Sequence, residues 1–198
     1  MRTATLLALT ALFVFDASHA DAAERVVRRG AVRTADGGVA AGRAVGYAGP
    51  NGAAGVRGHG VVEDGNGDAK FVSGAAGRTA NGGTYGRAGS TSVGADGAIN
   101  HRSGAAAQGP NGSAKTSGAF TRNTDGSVSG QRNTSAQGSN GSRYAGNTSY
   151  ANGSGTHTTD ITAKNGDTYS GETTWTKGQG ATHAGTCKDA SGSVIACR

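Results

Sequence analysis

Small and polar residues fill most of the chain, and its few large apolar residues stand in short segments between regularly spaced turns. The turn signal is an Asn-Gly or Asp-Gly dipeptide that returns about every fifteen residues between residues 36 and 166. Both dipeptides tolerate positive φ at the two centres of a two-residue hairpin turn, so the pattern predicts strand, turn, strand, turn. The predicted turn glycines are Gly37, Gly52, Gly67, Gly82, Gly97, Gly112, Gly126, Gly141, Gly153 and Gly166.

This spacing predicts an all-β fold, a repetitive up-and-down antiparallel β-meander with about 15 residues per strand and turn. A β-solenoid with one coil per repeat is an alternative, and a largely disordered chain is another. Gly-Pro-Asn-Gly and Asn-Gly turns roughly alternate with Asp-Gly turns. A meander explains this alternation because successive turns lie at opposite ends of the sheet, and the repeating unit is then nearer thirty residues.

Two-residue turns would also fix the pairing of the strands. Centres at Asn66-Gly67 place Glu63 opposite Lys70, and Val62 opposite Phe71. The same construction about Asn81-Gly82 and Asn165-Gly166 gives further opposed pairs, which are Arg78 with Tyr85, Thr79 with Thr84, Lys164 with Asp167 and Thr162 with Tyr169. Cross-strand pairs of this kind contribute about 0.2–1 kcal/mol each.

The N-terminus has the features of a secretory signal peptide. A basic Met1-Arg2 precedes an apolar run, Leu6 to Phe15, and Ser18-His19-Ala20 supplies the small residues of a cleavage site. Ten mostly apolar residues are too few for a bilayer core that needs about 20. We therefore expect a chain that starts at Asp21, has no membrane span, and is secreted or lies in the periplasm or at the cell surface.

The chain after residue 20 has little material for a hydrophobic core. It contains no leucine, and its aliphatic and phenylalanine residues are three isoleucines, twelve valines, Phe71 and Phe120. That is well below the level expected of a conventional globular domain. All 37 glycines fall in this region. Order must therefore come from repeated backbone pairing and the packing of small residues.

The net charge is +6, and about one basic residue falls in each repeat. Distributed charge of this kind favours solubility and attraction to anionic polymers. Arg57, Arg87 and Arg102 are the candidate polyanion contacts. The tyrosines and Trp175 could stack sugars or bases beside them, although a packing role suits isolated aromatic residues better.

Cys187 and Cys197 are the only cysteines, and export makes a disulfide their expected state. A bridge between them would close a loop of about 11 residues and contribute roughly 3 kcal/mol. It would secure the last hairpin of the chain.

The sequence contains no recognisable catalytic motif, so we expect a protein that is not an enzyme and that needs no cofactor. The four histidines after residue 20 are scattered and never at metal-ligand spacing. No Gly-x-Ser-x-Gly elbow, phosphate-binding loop or dinucleotide fingerprint is present. Catalytic, cofactor-binding and metal-binding residues are accordingly predicted as none.

The alternating turns, the signal peptide and the closing segment Cys187 to Cys197 together resemble exported Gly- and Ser-rich repeat proteins of Gram-negative bacteria, a group that brings no known activity. The chain is also loosely similar to curli-type fibre subunits. Curli repeats carry regular Gln and Asn ladders, whereas the glutamines here are sporadic.

The predicted organisation is a signal peptide (residues 1–20), an N-terminal basic segment (21–36), a Gly-rich β-repeat region (37–180) and a C-terminal disulfide hairpin (181–198). Residues 24–29 could form a first strand or remain a basic tail. The predicted function is that of an exported, non-enzymatic structural or surface-associated repeat protein of an extracellular matrix or envelope layer. Its candidate partners are further copies of the chain, joined through the edge strands, and anionic polymers. The alternative is a monomeric binding module for anionic polysaccharide or nucleic acid.

Overall fold

The computed structural model describes residues 24–35 and 37–197, and the predicted signal peptide lies outside them. The described chain consists of β-strands joined by short turns, without an α-helix. One short 3₁₀ turn, Pro50–Gly52, interrupts it. The thirteen strands are β1 Glu24–Arg33, β2 Val39–Ala48, β3 Ala54–Glu63, β4 Ala69–Arg78, β5 Thr84–Val93, β6 Ile99–Gly109, β7 Gly112–Arg122, β8 Val128–Gly138, β9 Arg143–Ala151, β10 Ser154–Thr162, β11 Thr168–Thr176, β12 Gly180–Lys188 and β13 Val194–Ile195.

All thirteen strands belong to one sheet, in which they follow the order of the chain from β1 to β13. Each strand pairs antiparallel with the strand before it and the strand after it. The prediction of an up-and-down meander is therefore confirmed, and neither the solenoid nor the disordered chain describes this arrangement. The basic N-terminal segment contributes β1, which is one edge of the sheet.

Glycines with positive φ close the hairpins, as predicted. All ten predicted turn glycines have φ between +77° and +131°. Most of these turns are nevertheless three-residue loops. In the turn from β5 to β6, for example, Gly94 N–H donates to the Ala98 carbonyl at 2.9 Å, and Gly97 has φ +83°. Asp96 Oδ1 accepts a hydrogen bond from Ala98 N–H at 2.9 Å, which stabilises the turn.

The extra loop residue makes the predicted pairing wrong by one position. Glu63 lies opposite Ala69 rather than Lys70, and Val62 lies opposite Lys70 rather than Phe71. The turns about residues 81 and 165 show the same shift, with Arg78 opposite Thr84 and Thr162 opposite Thr168, and with Thr79 facing Gly83 and Ala163 facing Asp167 across the loops. A right-handed turn followed by one left-handed glycine gives a three-residue hairpin loop, whereas two left-handed residues give a two-residue loop.

Two turns have only two residues between the paired strands. Asn152 and Gly153, with φ of 49° and 89°, connect β9 to β10 in the form predicted for Asn-Gly. Pro110 and Asn111 connect β6 to β7, because Gly109 pairs with Gly112. At that turn the predicted centre, Asn111-Gly112, is therefore displaced by one residue.

The sheet is a single layer with almost no hydrophobic interior. Among the residues that the structure describes, Val45 is the one buried hydrophobic side chain, at 6% exposure. Phe71, Val72 and Ile161 are each at least 40% exposed. Cohesion therefore comes from the hydrogen-bonded ladder and from side-chain contacts across neighbouring strands.

The disulfide between Cys187 and Cys197 joins β12 to the segment just after β13, with 5.3 Å between the two Cα atoms. β13 has only two residues, which pair with Cys187 and Lys188. The bridge therefore holds a very short strand at the second edge of the sheet.

Candidate binding surface

The two sides of the sheet carry different residues, and turn length decides which residues share a side. Successive side chains of a strand point to opposite faces, and directly opposed residues share a face. Strands joined by three-residue loops keep odd-numbered residues on one face, whereas each two-residue turn exchanges odd for even. One face therefore carries the odd-numbered residues of β1–β6, the even-numbered residues of β7–β9 and the odd-numbered residues of β10–β13. We call it the aromatic face and the other the polar face.

The aromatic face carries every aromatic side chain of the described strands. These are Tyr47, Phe71, Tyr85, Phe120, Tyr144, Tyr150, Tyr169 and Trp175. Their numbers change from odd to even and back to odd at the same two turns that shift the pairing. The sequence and the turn geometry thus agree on one face, which supports the register.

Each tyrosine and the tryptophan lies across a glycine. A Cβ atom on Gly55 would lie 2.5 Å from Tyr47 Oη, and one on Gly77 would lie 2.7 Å from Tyr85 Oη. Glycine leaves the space that the ring occupies, and the ring covers backbone that glycine exposes. The other four rings lie in the same way across Gly130 (Tyr150), Gly146 (Tyr144), Gly155 (Trp175), and Gly171 and Gly185 (Tyr169).

Tyr47 and Tyr85 meet across the two strands that separate them. Their hydroxyl oxygens are 2.5 Å apart, above the glycines of β3 and β4. The hydrogen bond to Tyr85 raises the pKa of Tyr47 above its ordinary value of 10.0, while the nearby charge of Arg57 acts in the opposite direction. The pair forms a bridge of two rings beside a guanidinium group.

All four histidines after residue 20 also lie on the aromatic face, and three of them follow one pattern. The Nδ1 atom of each is 2.8 Å from the hydroxyl of the threonine directly opposite, in the pairs His101–Thr91, His157–Thr148 and His183–Thr173. His101 also stacks on Phe120, with ring centroids 5.2 Å apart. Hydrogen bonds and stacking give these histidines a structural role in the sheet.

The aromatic face is strongly basic. The strand residues that point to this face include one carboxylate, Glu63, and eight arginines. These are Arg25, Arg29, Arg33, Arg43, Arg57, Arg87, Arg122 and Arg132. The strand residues that point to the polar face include seven basic and three acidic residues. Most of the remaining carboxylates stand in the turns, so basic charge predominates on the aromatic face.

The structure separates the three predicted polyanion contacts. Arg57 and Arg87 lie on the aromatic face in one row, because both are opposite Ala75. Arg102 lies on the polar face, opposite Ser90. The sequence prediction did not include Arg29 and Arg43, which face each other directly on β1 and β2. Only the even or odd position of each residue, read with the correct turn length, could have revealed this grouping.

The polar face is built from small residues and hydroxyl groups, most of all in β8–β12. Thr174 and Thr182 are joined by a hydrogen bond of 2.7 Å between their hydroxyls. Asn147 Nδ2 donates to Asn133 Oδ1 on the neighbouring strand. These cross-strand bonds stabilise the sheet without any aromatic side chain.

The depressions found among the described residues are open to solvent. An open depression of about 570 Å³ lies between β1 and β6, and its lining includes Arg43, His59, Phe71 and His101. In the part of the chain that the structure describes, no group of three or more His, Cys, Asp or Glu side chains is placed to hold a metal ion. No helix within the same residues has the length and apolar character needed to cross a membrane.

A scan against protein-family models found no match, and neither did searches of curated proteins and of solved structures. The class of the protein is therefore defined by its architecture, a single-layer antiparallel β-meander with one aromatic, basic face.

Proposed function

We propose that this protein is an exported, non-enzymatic structural or surface-associated repeat protein whose copies join through the edges of the sheet. The observation that carries the proposal is the open single layer with β1 at one edge and β12 beside the other. An edge strand presents unpaired N–H and C=O groups, which are a template for another strand.

The available length of the two edges supports association. β1 offers ten residues, Glu24–Arg33. At the opposite side β13 pairs only with Cys187 and Lys188, so residues 180–186 of β12 have no neighbour on that side among the described strands. About seven residues would thus be free to pair with β1 of a second copy.

Strand direction supports a head-to-tail contact. Strands alternate in direction along the meander, so β1 runs opposite to β12. β1 of one copy placed beside β12 of another would therefore extend the sheet as a further antiparallel strand. A contact between two different surfaces builds open filaments unless the rotation between copies closes a ring.

Sedimentation velocity of the full chain, exported under its own leader and purified, tests this proposal. We expect larger species as concentration rises, and thioflavin fluorescence that increases with them. Paired substitutions Thr182→Lys and Ala184→Lys should suppress the larger species, because lysine side chains on an exposed edge strand oppose the addition of another strand. The matched control Ser117→Lys with Ala119→Lys places the same charges on the polar face of the central strand β7.

The control should assemble like the wild type. A wild-type chain that stays monomeric over the whole concentration range would count against assembly as its function, and so would equal effects of the edge pair and the central pair. Recovery of the protein only from the cytoplasm would contradict export.

A further inference from the structure

The arginines of the aromatic face on β1–β5 are arranged at a cost to the sheet. Arg29 lies directly opposite Arg43. Like charges directly opposite each other destabilise a pair of strands. Arg57 and Arg87 face only Val45 and alanines. An anionic ligand would relieve this repulsion and would be attracted by the whole group.

The same strands present the Tyr47–Tyr85 bridge. Each ring lies across a glycine, and the two hydroxyls are hydrogen-bonded to each other. Tyr47 is 42% exposed. Arg57 lies on the strand beside Tyr47, and Arg87 follows Tyr85 by two residues on the same face. Two aromatic rings are therefore combined with two guanidinium groups.

From these contacts we propose that the aromatic face of β1–β5 binds single-stranded nucleic acid, with bases stacked on Tyr47 and Tyr85 and phosphates held by Arg57, Arg87 and Arg43. Stacking on aromatic rings together with a basic surface that follows the backbone is how proteins bind single strands without sequence preference. This inference goes beyond the proposed assembly and does not depend on it.

Single strands fit this surface better than the other polyanions do. A duplex keeps its bases stacked inside, and within the described residues this face has no helix that could enter a groove. An acidic polysaccharide would contact the arginines but has no planar base for the rings. The two tyrosine hydroxyls already bind each other, which makes them poor partners for sugar hydroxyls.

Fluorescence anisotropy of a labelled oligodeoxythymidine with the full chain tests the arginines. We expect affinity to fall with rising salt. The double variant Arg57→Glu with Arg87→Glu should weaken binding at least ten-fold and reduce the slope of log affinity against log salt by about 1.4, since each phosphate contact on a single strand accounts for about 0.7.

The matched control is Arg102→Glu with Lys115→Glu, which reverses two charges on the polar face. Its affinity should stay within a few-fold of the wild type. Equal losses in the two double variants would show general charge attraction and would overturn the assignment to the aromatic face. Circular dichroism of each variant confirms that the sheet is retained.

A second pair of variants tests the rings. Tyr47→Ser with Tyr85→Ser should weaken binding of the oligonucleotide at least about 25-fold, because two stacked bases are lost and each is worth a factor of roughly 5 to 150. Tyr47→Phe with Tyr85→Phe keeps the rings and should keep the affinity. Equal binding by the serine and phenylalanine variants would overturn the stacking role.

Two competitors test the class of ligand. Duplex DNA and alginate, a carboxylate polysaccharide, should each compete with the oligonucleotide at least ten-fold less well than an unlabelled single strand. Alginate that competes equally well would assign the face to polysaccharide instead, and equal competition by the duplex would exclude selection of unstacked bases. Absence of binding at low salt would also overturn the proposal, whatever the assembly state of the protein.

Discussion

At the scale of single residues, glycine and aromatic side chains act as partners. The chain has too few large apolar residues for a hydrophobic core, and six aromatic rings that pack on glycines take its place. The consequence is that glycines within strands are not equivalent. Those under a ring or against a carbonyl have no room for a methyl group, whereas others stand in open space.

Gly155 and Gly86 provide a test of this difference. In Gly155→Ala the new Cβ would lie against Trp175 Cζ2 and 2.6 Å from the Ser149 carbonyl oxygen. The ring can move but the backbone oxygen cannot, so we expect destabilisation of about 1–3 kcal/mol. In Gly86→Ala the nearest atom is 4.0 Å away, and the substitution should be neutral or stabilise by up to about 1 kcal/mol.

Urea unfolding followed by circular dichroism measures both changes. Equal effects of the two substitutions would contradict the lack of room for a methyl group at Gly155. A loss at Gly86 alone would reverse the expected order.

At the scale of elements, the turns decide more than the strands do. Asx hydrogen bonds recur in them: Ser127 N–H donates to Asp125 Oδ1 at 2.8 Å, and Ser191 N–H donates to Asp189 Oδ1 at 2.9 Å. Hydrogen bonds from these serines lower the pKa of Asp125 and of Asp189. Such turns hold loops of fixed length, and loop length fixes the face of every following residue.

The disulfide hairpin is the element that should unfold independently of the other strands when the disulfide is reduced. Because β13 pairs only with β12, reduction of Cys187–Cys197 should release β13 and the end of β12 while earlier strands stay paired. Hydrogen exchange, read by mass spectrometry with and without reductant, should show faster exchange confined to about residues 187–197. The double variant Cys187→Ser with Cys197→Ser should behave like the reduced protein.

Loss of protection throughout the sheet on reduction would contradict a local role for the bridge. It would mean that the hairpin controls the stability of the whole meander.

At the scale of the whole molecule, the sheet behaves as a linear array in which each strand depends on its two neighbours. Such arrays tolerate removal of whole units, because stability is close to a sum of local and nearest-neighbour contributions. Here removal of a unit must also leave the following side chains on their original faces. Removal of two strands with two three-residue loops does so, whereas removal of one strand with one loop turns the following side chains to the opposite face.

Two deletions separate these cases. Removal of residues 69–98 takes out β4, β5 and two turns, and leaves Ile99 opposite Glu63 with the aromatic face unbroken. Removal of residues 69–83 takes out β4 and one turn, and it would move Tyr85 and Arg87 to the polar face. We expect the first variant to unfold cooperatively at a slightly lower urea midpoint, and the second to lose cooperativity or to aggregate.

Urea unfolding and sedimentation of the two variants supply the measurement. If the variant without residues 69–83 is as stable as the variant without residues 69–98, the separation of the two faces has no energetic role.

Much of the fold could be predicted from the sequence. The regular glycines predict the meander because only a left-handed turn position needs glycine at that spacing, and Gly97 and Gly166 occupy such positions. The disulfide could also be predicted, since two cysteines leave one possible pairing and the predicted leader favours an oxidised state. Sparse large residues also indicated a sheet without a conventional core.

The candidate site required the tertiary structure. Asn-Gly and Asp-Gly are compatible with two-residue and three-residue loops, and the two choices differ by one residue in register. That residue separates Arg57 and Arg87 from Arg102, and it places Tyr47 and Tyr85 on one face. The sequence by itself determined the alternation of strands and turns between residues 36 and 166. The hydrogen bonds of each loop decided which side chains stand together, because a shift of one residue turns a strand's side chains to the opposite face.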